Sequence, residues 1–470
     1  MTAAYFVRNP ADRREVVAEL PAHGAGDGQR ALARARDALA GWRRTSIVER
    51  ADVLRRAALV IRRDAETIAR DVTREMGKLI AESRAETVKA AEFFEYYASF
   101  GRRPVGEVLA DARPGAEART VREPRGVVLA IVPWNDPVLT PARKLGPALV
   151  SGNTVVLKPA PESPLSALHL ARCLSEAGMP SGVLEVLTGA DDELGRSLVS
   201  GDGYDALTFT GSTDVGGAIR RRIADRNIPL QTEMGGKNAT VVLRDANLDL
   251  AVDAIAAGAF AQAGQRCTAT SRVLVERARA DELVARLSKR IAAIRVGPGL
   301  DESSTMGPLV AESRLDFALD RIEEARDAGA DVLAGGHRHD DSACRHGWFL
   351  TPTLLHLDTP RSPVWDVELF APIVSLTEVE SLDEAIGLVN ASRYGLSASI
   401  FTRDLEAAHR FSAEADVGCV AVNLPTAGWD VHVPFGGFKD SGSAFKEQGV
   451  EALAFATRVK TIAMRAIDPT

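Results

Sequence analysis

Cys267 stands in Gly264-Gln-Arg-Cys-Thr-Ala-Thr270, a run of small and polar residues between a helical and a strand-like segment. A thiol beside Arg266 in an open polar loop is in the setting that lowers its pKa and makes it a nucleophile. A lone cysteine is also read as a small buried hydrophobe. Glu233, in Gln231-Thr-Glu-Met-Gly-Gly-Lys-Asn238, directly follows a strand-like run, and the double glycine lets the backbone turn tightly beside a ligand. A carboxylate so placed suits a general base, or is simply a turn glutamate. Phe209-Thr-Gly-Ser-Thr-Asp-Val-Gly216 opens a helix after a strand; the free N–H groups there, with Gly211 and Ser212 allowing close approach, suit a pyrophosphate. It is not the G-x-G-x-x-G fingerprint. Asn135, in Ile131-Val-Pro-Trp-Asn-Asp-Pro137, can donate its amide to a developing oxyanion. Lys158, in Leu157-Lys-Pro-Ala-Pro-Glu-Ser-Pro164, can hold a ribose, and ordinary turn chemistry explains either segment as well. Of the other cysteines, Cys173 and Cys419 read as core. Cys344 has histidines nearby that suggest a metal site, but an exposed loop accounts for it, and no metal is expected.

These residues need a scaffold, and the apolar pattern supplies one. Residues 46–76 read as one amphipathic helix, with Leu54, Ala58, Ile61, Ala65, Ile68 and Val72 at alternating spacings of four and three and Gly77 as its stop. From Gly126 short apolar runs (126–132, 153–157, 183–187, 206–210) alternate with helical stretches (141–150, 164–177, 192–200, 215–224), the pattern of parallel βαβ units. A second α/β series follows, with strands at 239–243, 272–276, 373–379, 396–401 and 418–423 and helices at 250–261 and 281–294. The candidate residues then fall at carboxyl ends of successive parallel strands, where open α/β sheets bind ligands. A late strand at 457–464 has no obvious local partner and is expected to pair elsewhere in the chain or with another subunit.

Composition limits the function classes. The chain has 470 residues and 57 Lys+Arg against 64 Asp+Glu, a formal charge of −7. That mild acidity argues against a nucleic-acid partner. No apolar run reaches the roughly 18 residues a membrane helix requires. The first ten residues carry no export signal, and four cysteines do not make a disulfide framework, so a cytoplasmic enzyme is expected.

Together the segments resemble the aldehyde dehydrogenase superfamily, over nearly the whole chain and in order: Pro133-Trp-Asn135, Lys158-Pro, Phe209-Thr-Gly-Ser212, Glu233-Met-Gly-Gly-Lys237, Gly264-Gln-Arg-Cys267, Glu368-Leu-Phe370 and Pro434-Phe-Gly-Gly-Phe-Lys439. The 34-residue separation of Glu233 and Cys267 suits the family's base and nucleophile. The resemblance implies an α/β fold with two parallel-sheet domains: a Rossmann-like cofactor domain (1–105 and 125–236) and a catalytic domain (237–441). A small β oligomerisation element (106–124 and 442–470) completes it, giving a homodimer or homotetramer. It implies Cys267 as nucleophile towards the aldehyde, Asn135 in the oxyanion hole, Glu233 activating the water that hydrolyses a thioester, and Lys144 and Glu447 assisting. NAD or NADP would lie among Val132, Pro133, Trp134, Lys158, Pro161, Glu162, Gly211, Ser212, Gly235, Glu368 and Phe370. NAD-preferring members often carry Glu three residues after the lysine; here that position is Pro161 and Glu162 is one residue late, which leaves NADP open.

The substrate side implied by the resemblance comprises Arg143, Arg266, Thr268 and Phe435. Two guanidinium groups near the tunnel favour an aldehyde bearing a carboxylate or phosph(on)ate, unless either pairs with a local acid such as Asp136 or points outward. Gly264–Arg272 and Asn423–Pro434 look most similar to the α-ketoglutarate semialdehyde dehydrogenase branch. Broad oxidation of neutral aldehydes and a CoA-acylating variant are the alternatives.

Overall fold

The apolar runs assemble into two stacked-layer units, each a sheet with helices on its faces. A computed structural model describes residues 4–465 except 104, 191 and 361; the first three and last five residues of the expected terminal segments lie outside it. The first sheet has five parallel strands in the spatial order Leu184–Val186, Thr154–Lys158, Val127–Ile131, Ala206–Thr210, Leu230–Glu233. The earliest strand is central and the chain winds from it first to one side and then to the other. That reversal opens a crevice at the strands' carboxyl ends. Apolar clusters cover both faces: Leu54, Ile61, Phe94 and Leu145 with Val128 and Val155 on one, Leu32, Leu194 and Ile219 with Leu129 and Val156 on the other.

The second sheet has seven strands, with Asn238–Val242 and Thr270–Glu276 near its middle. All neighbours are parallel except the edge strand Asp331–Ala334, which runs antiparallel to Thr353–His356. A separate three-stranded antiparallel sheet joins the tail strand Thr457–Arg465 to Ala116–Pro124 and then to Val108–Leu109. The tail's missing partner is therefore within the same chain.

Two expectations are corrected. The segment 46–76 is not one helix but two, Ile47–Arg63 and Ala65–Met76. Periodicity survives the break because Asp64 interrupts the backbone for one residue only, at φ −97° and ψ 11°, while its carboxylate holds Arg63 and Arg172. Gly77 is the stop, at φ +92°. Cys344 is not in an exposed loop: it is fully buried against Ala11 and Phe349, because the turn at Pro10–Ala11 covers the polar segment, with Trp348 N–H donating to Pro10 O at 3.1 Å.

Candidate active site

Strand ends of the first sheet and one loop of the second enclose a cavity of about 610 Å³, within the usual range for small-molecule sites. Asn135, Gly211, Ser212 and Glu233 reach it from the carboxyl ends of the first sheet's strands, and Arg266, Cys267 and Thr268 from the turn before Thr270–Glu276. The cysteine turn is held from both sides. Gln262, Ala263 and Gly264 take φ of +52°, +53° and +69°, which ends the helix Leu248–Phe260 and turns the chain into the cavity. Two non-glycine residues in that region are strained, and such strain clusters at functional sites. The Asn238 side-chain amide then donates to the Cys267 carbonyl at 2.8 Å and to that of Ala269 at 2.9 Å.

The electrostatics correct a further expectation. The thiol of Cys267 is pushed well above its ordinary pKa, by burial first and then by Glu233 and Asp136, against the pull of Arg143. Cys267 is partly exposed on the cavity, but Glu233 and Asp136 face it there, and the lowered pKa expected of a thiol beside Arg266 is reversed. Glu233 is itself buried, neither carboxylate oxygen has a hydrogen-bond partner, and burial followed by repulsion from Glu447 raises its pKa well above the carboxylate range.

Beneath the cavity lies a charge network. Glu447 accepts from Lys144 Nζ at 2.5 Å, Arg143 Nη1 at 2.7 Å and Thr210 Oγ1 at 2.6 Å. Burial alone would raise the Glu447 carboxyl, but the two cations outweigh it and hold it below its ordinary value. Lys144 also donates to Thr208 and Gln231. The acid that Arg143 meets is thus Glu447 and not Asp136, while its guanidinium still lies on the cavity wall, 5.1 Å from the Phe435 ring. The Arg266 side chain lines the cavity and makes no hydrogen bond or ion pair among the described residues; its field acts on Asp136.

A fully buried Lys78 forms the other wall's support, bonded to Glu86 at 2.5 Å and Asp136 at 3.2 Å. Glu86 in turn accepts the N–H groups of Val138 and Leu139 at the start of the helix Leu139–Val150, which carries Arg143 and Lys144. Sequence reasoning missed Lys78 and Glu86. Their signal, a lysine after a helix-stopping glycine and a glutamate eight residues on, is indistinguishable from surface charge.

The opposite side of the cavity is packed tightly around glycines that admit no side chain. A Cβ on Gly235 would meet Glu368 Oε2 at 2.0 Å, and one on Gly216 would meet Met234 Sδ at 2.3 Å. Ser212 caps the helix Thr213–Arg222, and Gly211 N–H donates to the Glu233 carbonyl. Trp134 and Phe370 meet edge to face at 5.4 Å, with Phe370 held at φ +52°. Burial raises the Glu368 carboxyl to about 7, against a hydrogen bond from Gly236 N–H. The start of the helix Thr213–Arg222, a carboxylate and an aromatic pair together fit a dinucleotide's phosphates, ribose and ring.

Residues 2–462 match the model of the aldehyde dehydrogenase family. The chain is an aldehyde dehydrogenase family member. It is 39% identical over 456 residues to the alpha-ketoglutaric semialdehyde dehydrogenase of Bacillus subtilis (97% of this chain, 93% of the relative), and 40% identical over 457 residues to the alpha-ketoglutarate semialdehyde dehydrogenase of Haloferax volcanii (97% and 94%). Its fold superposes on the crystal structure of Staphylococcus aureus betaine aldehyde dehydrogenase in complex with NAD+ with a TM-score of 0.96, at 31% identity, covering 99% of this chain and 92% of that one. The expected family, fold and enzyme class hold: an NAD(P)-dependent oxidoreductase acting on aldehydes. No helix among the described residues is long and apolar enough to cross a membrane.

For this family member the cavity gathers Pro133, Trp134, Asn135, Arg143, Gly211 and Ser212 with Glu233, Gly235, Arg266, Cys267, Thr268, Glu368, Phe370 and Phe435. Lys144 and Glu447 sit directly below it. Val132, Lys158, Pro161 and Glu162 lie off its wall; Val132 N–H donates to the Lys158 carbonyl, and the Lys158 side chain runs towards Gly195.

Proposed function

We propose that the chain oxidises a small carboxylate-bearing aldehyde, a semialdehyde, to the dicarboxylate without CoA. The observation that carries this reading is Arg266, which lines the cavity next to Cys267 and whose side chain bonds no carboxylate among the described residues. Arg143, already shared with Glu447, adds a second positive charge at the same wall. The relatives named for semialdehydes support the same substrate class.

In this reading the Cys267 thiolate adds to the aldehyde carbon, giving a thiohemiacetal, and Asn135 donates to its oxyanion. NAD(P), when bound, would supply the hydride acceptor, so that loss of hydride from the carbon held on Cys267 would leave a thioester there. Glu233, whose raised pKa makes it a stronger base than an exposed glutamate, takes a proton from the water that attacks the thioester. The acid leaves and the thiol is restored. Arg143 is the cation that favours the thiolate. Trp134, Gly235, Glu368 and Phe370 would hold the nicotinamide end, and Gly211 and Ser212 the phosphates, with Lys158, Pro161 and Glu162 at the adenosine ribose. The expected domain limits belong to this reading. So does a homodimer or homotetramer, supported by the tail strand's second, unpaired edge among the described residues and its exposed Val459 and Met464.

The test is kcat/KM with NAD and with NADP for carboxylate-bearing against neutral aldehydes of equal length. A preference above about tenfold, or roughly 1.4 kcal/mol, that disappears in Arg266→Ala supports the assignment. Equal rates would make the enzyme a generalist, and turnover dependent on added CoA would make it acylating.

A further inference from the structure

Away from the cavity, the segment between Asp331–Ala334 and Thr353–His356 brings three unlike donors together. His339, Asp341 and Cys344 offer ligand atoms that all lie within 4.8 Å of one another, and none of the three lines the cavity. We propose that they bind one Zn²⁺-class divalent cation, with solvent as the fourth ligand.

Each donor is already aimed. Asp341 uses Oδ1 for the turn, accepting the N–H groups of Ala343 and Cys344 at 3.0 Å each, and leaves Oδ2 3.3 Å from His339 Nε2. His339 Nε2 is shielded from solvent and, among the described residues, meets that carboxylate oxygen only at the 3.3 Å ion-pair distance, so both atoms are free to turn to a shared cation. Cys344 is fully buried and packs against Ala11 and Phe349. Binding forms the S–metal bond and releases the thiol proton to solvent.

The backbone beneath is fixed. His339 N–H donates to Phe349 O, Gly347 N–H to Cys344 O and Arg13 N–H to His346 O. Tetrahedral coordination sets donors about 3.6 Å apart, a contraction that rotation of the exposed Asp341 and half-buried His339 side chains supplies. One nitrogen, one carboxylate oxygen and one thiolate suit Zn²⁺ or Co²⁺ rather than the all-oxygen shells of Mg²⁺ and Ca²⁺. The ion would tie this segment to the turn at Pro10–Ala11, which packs on Cys344.

The experiment is Co²⁺ titration of the full chain carrying Cys267→Ala, so that the cavity thiol contributes nothing. The expected result is one equivalent of Co²⁺ giving thiolate-to-metal charge transfer and intense tetrahedral d–d bands, displaced by Zn²⁺. Adding Cys344→Ser should abolish the charge transfer, and adding His339→Ala, at a partly exposed position that leaves the packing intact, should weaken Co²⁺ binding at least tenfold. No charge-transfer band, or a band and affinity unchanged by both substitutions, overturns the proposal.

Discussion

Replacing Glu447 by Gln removes one charge from a network in which it is the acceptor for two cations. Arg143 lies on the cavity wall and can take water in its place. Lys144 cannot: its side chain is 2% exposed, and Thr208 and Gln231 are its remaining partners. Burial already pulls the Lys144 pKa below its ordinary 10.5 with Glu447 present, so the variant relaxes by releasing the Lys144 proton. Neutralising a group with an unfolded pKa of 10.5 costs about 1.36 kcal/mol for each pH unit below that value. The upper limit on the destabilisation is therefore about 4 kcal/mol at pH 7.5 and about 2 kcal/mol at pH 9.0, in line with broken buried pairs. The sign follows from linkage. The unfolded variant binds the extra proton and the folded one does not, so its stability rises with pH towards 10.5. Denaturant midpoints of the first unfolding transition, compared with wild type at both pH values, measure this. A loss of the same size at pH 7.5 and 9.0 would refute the account, and so would a double variant with Lys144→Met that recovers nothing.

Cys267→Ala should abolish oxidation while nucleotide binding, followed by cofactor fluorescence, stays within about threefold; appreciable turnover would sink the nucleophile. Glu233→Gln should release one reduced nicotinamide per site in a stopped-flow burst and then stall, whereas loss of the burst would place Glu233 before hydride transfer. Iodoacetamide alkylation of Cys267 in the cofactor-free enzyme should accelerate with pH to beyond 9, because burial, Glu233 and Asp136 raise the thiol pKa; a rate that levels off below pH 8 contradicts that. Gly235→Ala should raise the cofactor KM at least tenfold, since the added methyl lands on the Glu368 carboxylate; unchanged cofactor kinetics would show that Glu368 is free to move.

What the sequence disclosed follows from how far each signal reaches. The strands Val127–Ile131 and Thr154–Lys158 were legible because a strand buried on both faces must be continuously apolar. Their order in the sheet placed Asn135, Gly211 and Glu233 together. The break at Asp64 was invisible because one non-helical residue scarcely disturbs a 3.6-residue period. The environment of Cys267 was misjudged for another reason: Arg266, its neighbour in sequence, matters less to the thiol than Glu233 and Asp136, which only the fold brings near. Cys344 was misplaced in the same way, its cover coming from Ala11, more than 300 positions earlier. The Arg143–Glu447 pair spans 304 residues, and no local pattern specifies it.

That span has a consequence for how the enzyme is made. The carboxylate that neutralises Lys144 and the strand that closes against Ala116–Pro124 both come from the stretch after residue 441, synthesised later than the two large sheets. Until it emerges, a nascent chain already contains Cys267 and Glu233 but keeps a buried ammonium without its counter-ion. A chain stopped short of Glu447 therefore carries the same uncompensated charge as the Glu447→Gln variant, and its antiparallel sheet lacks the strand Thr457–Arg465.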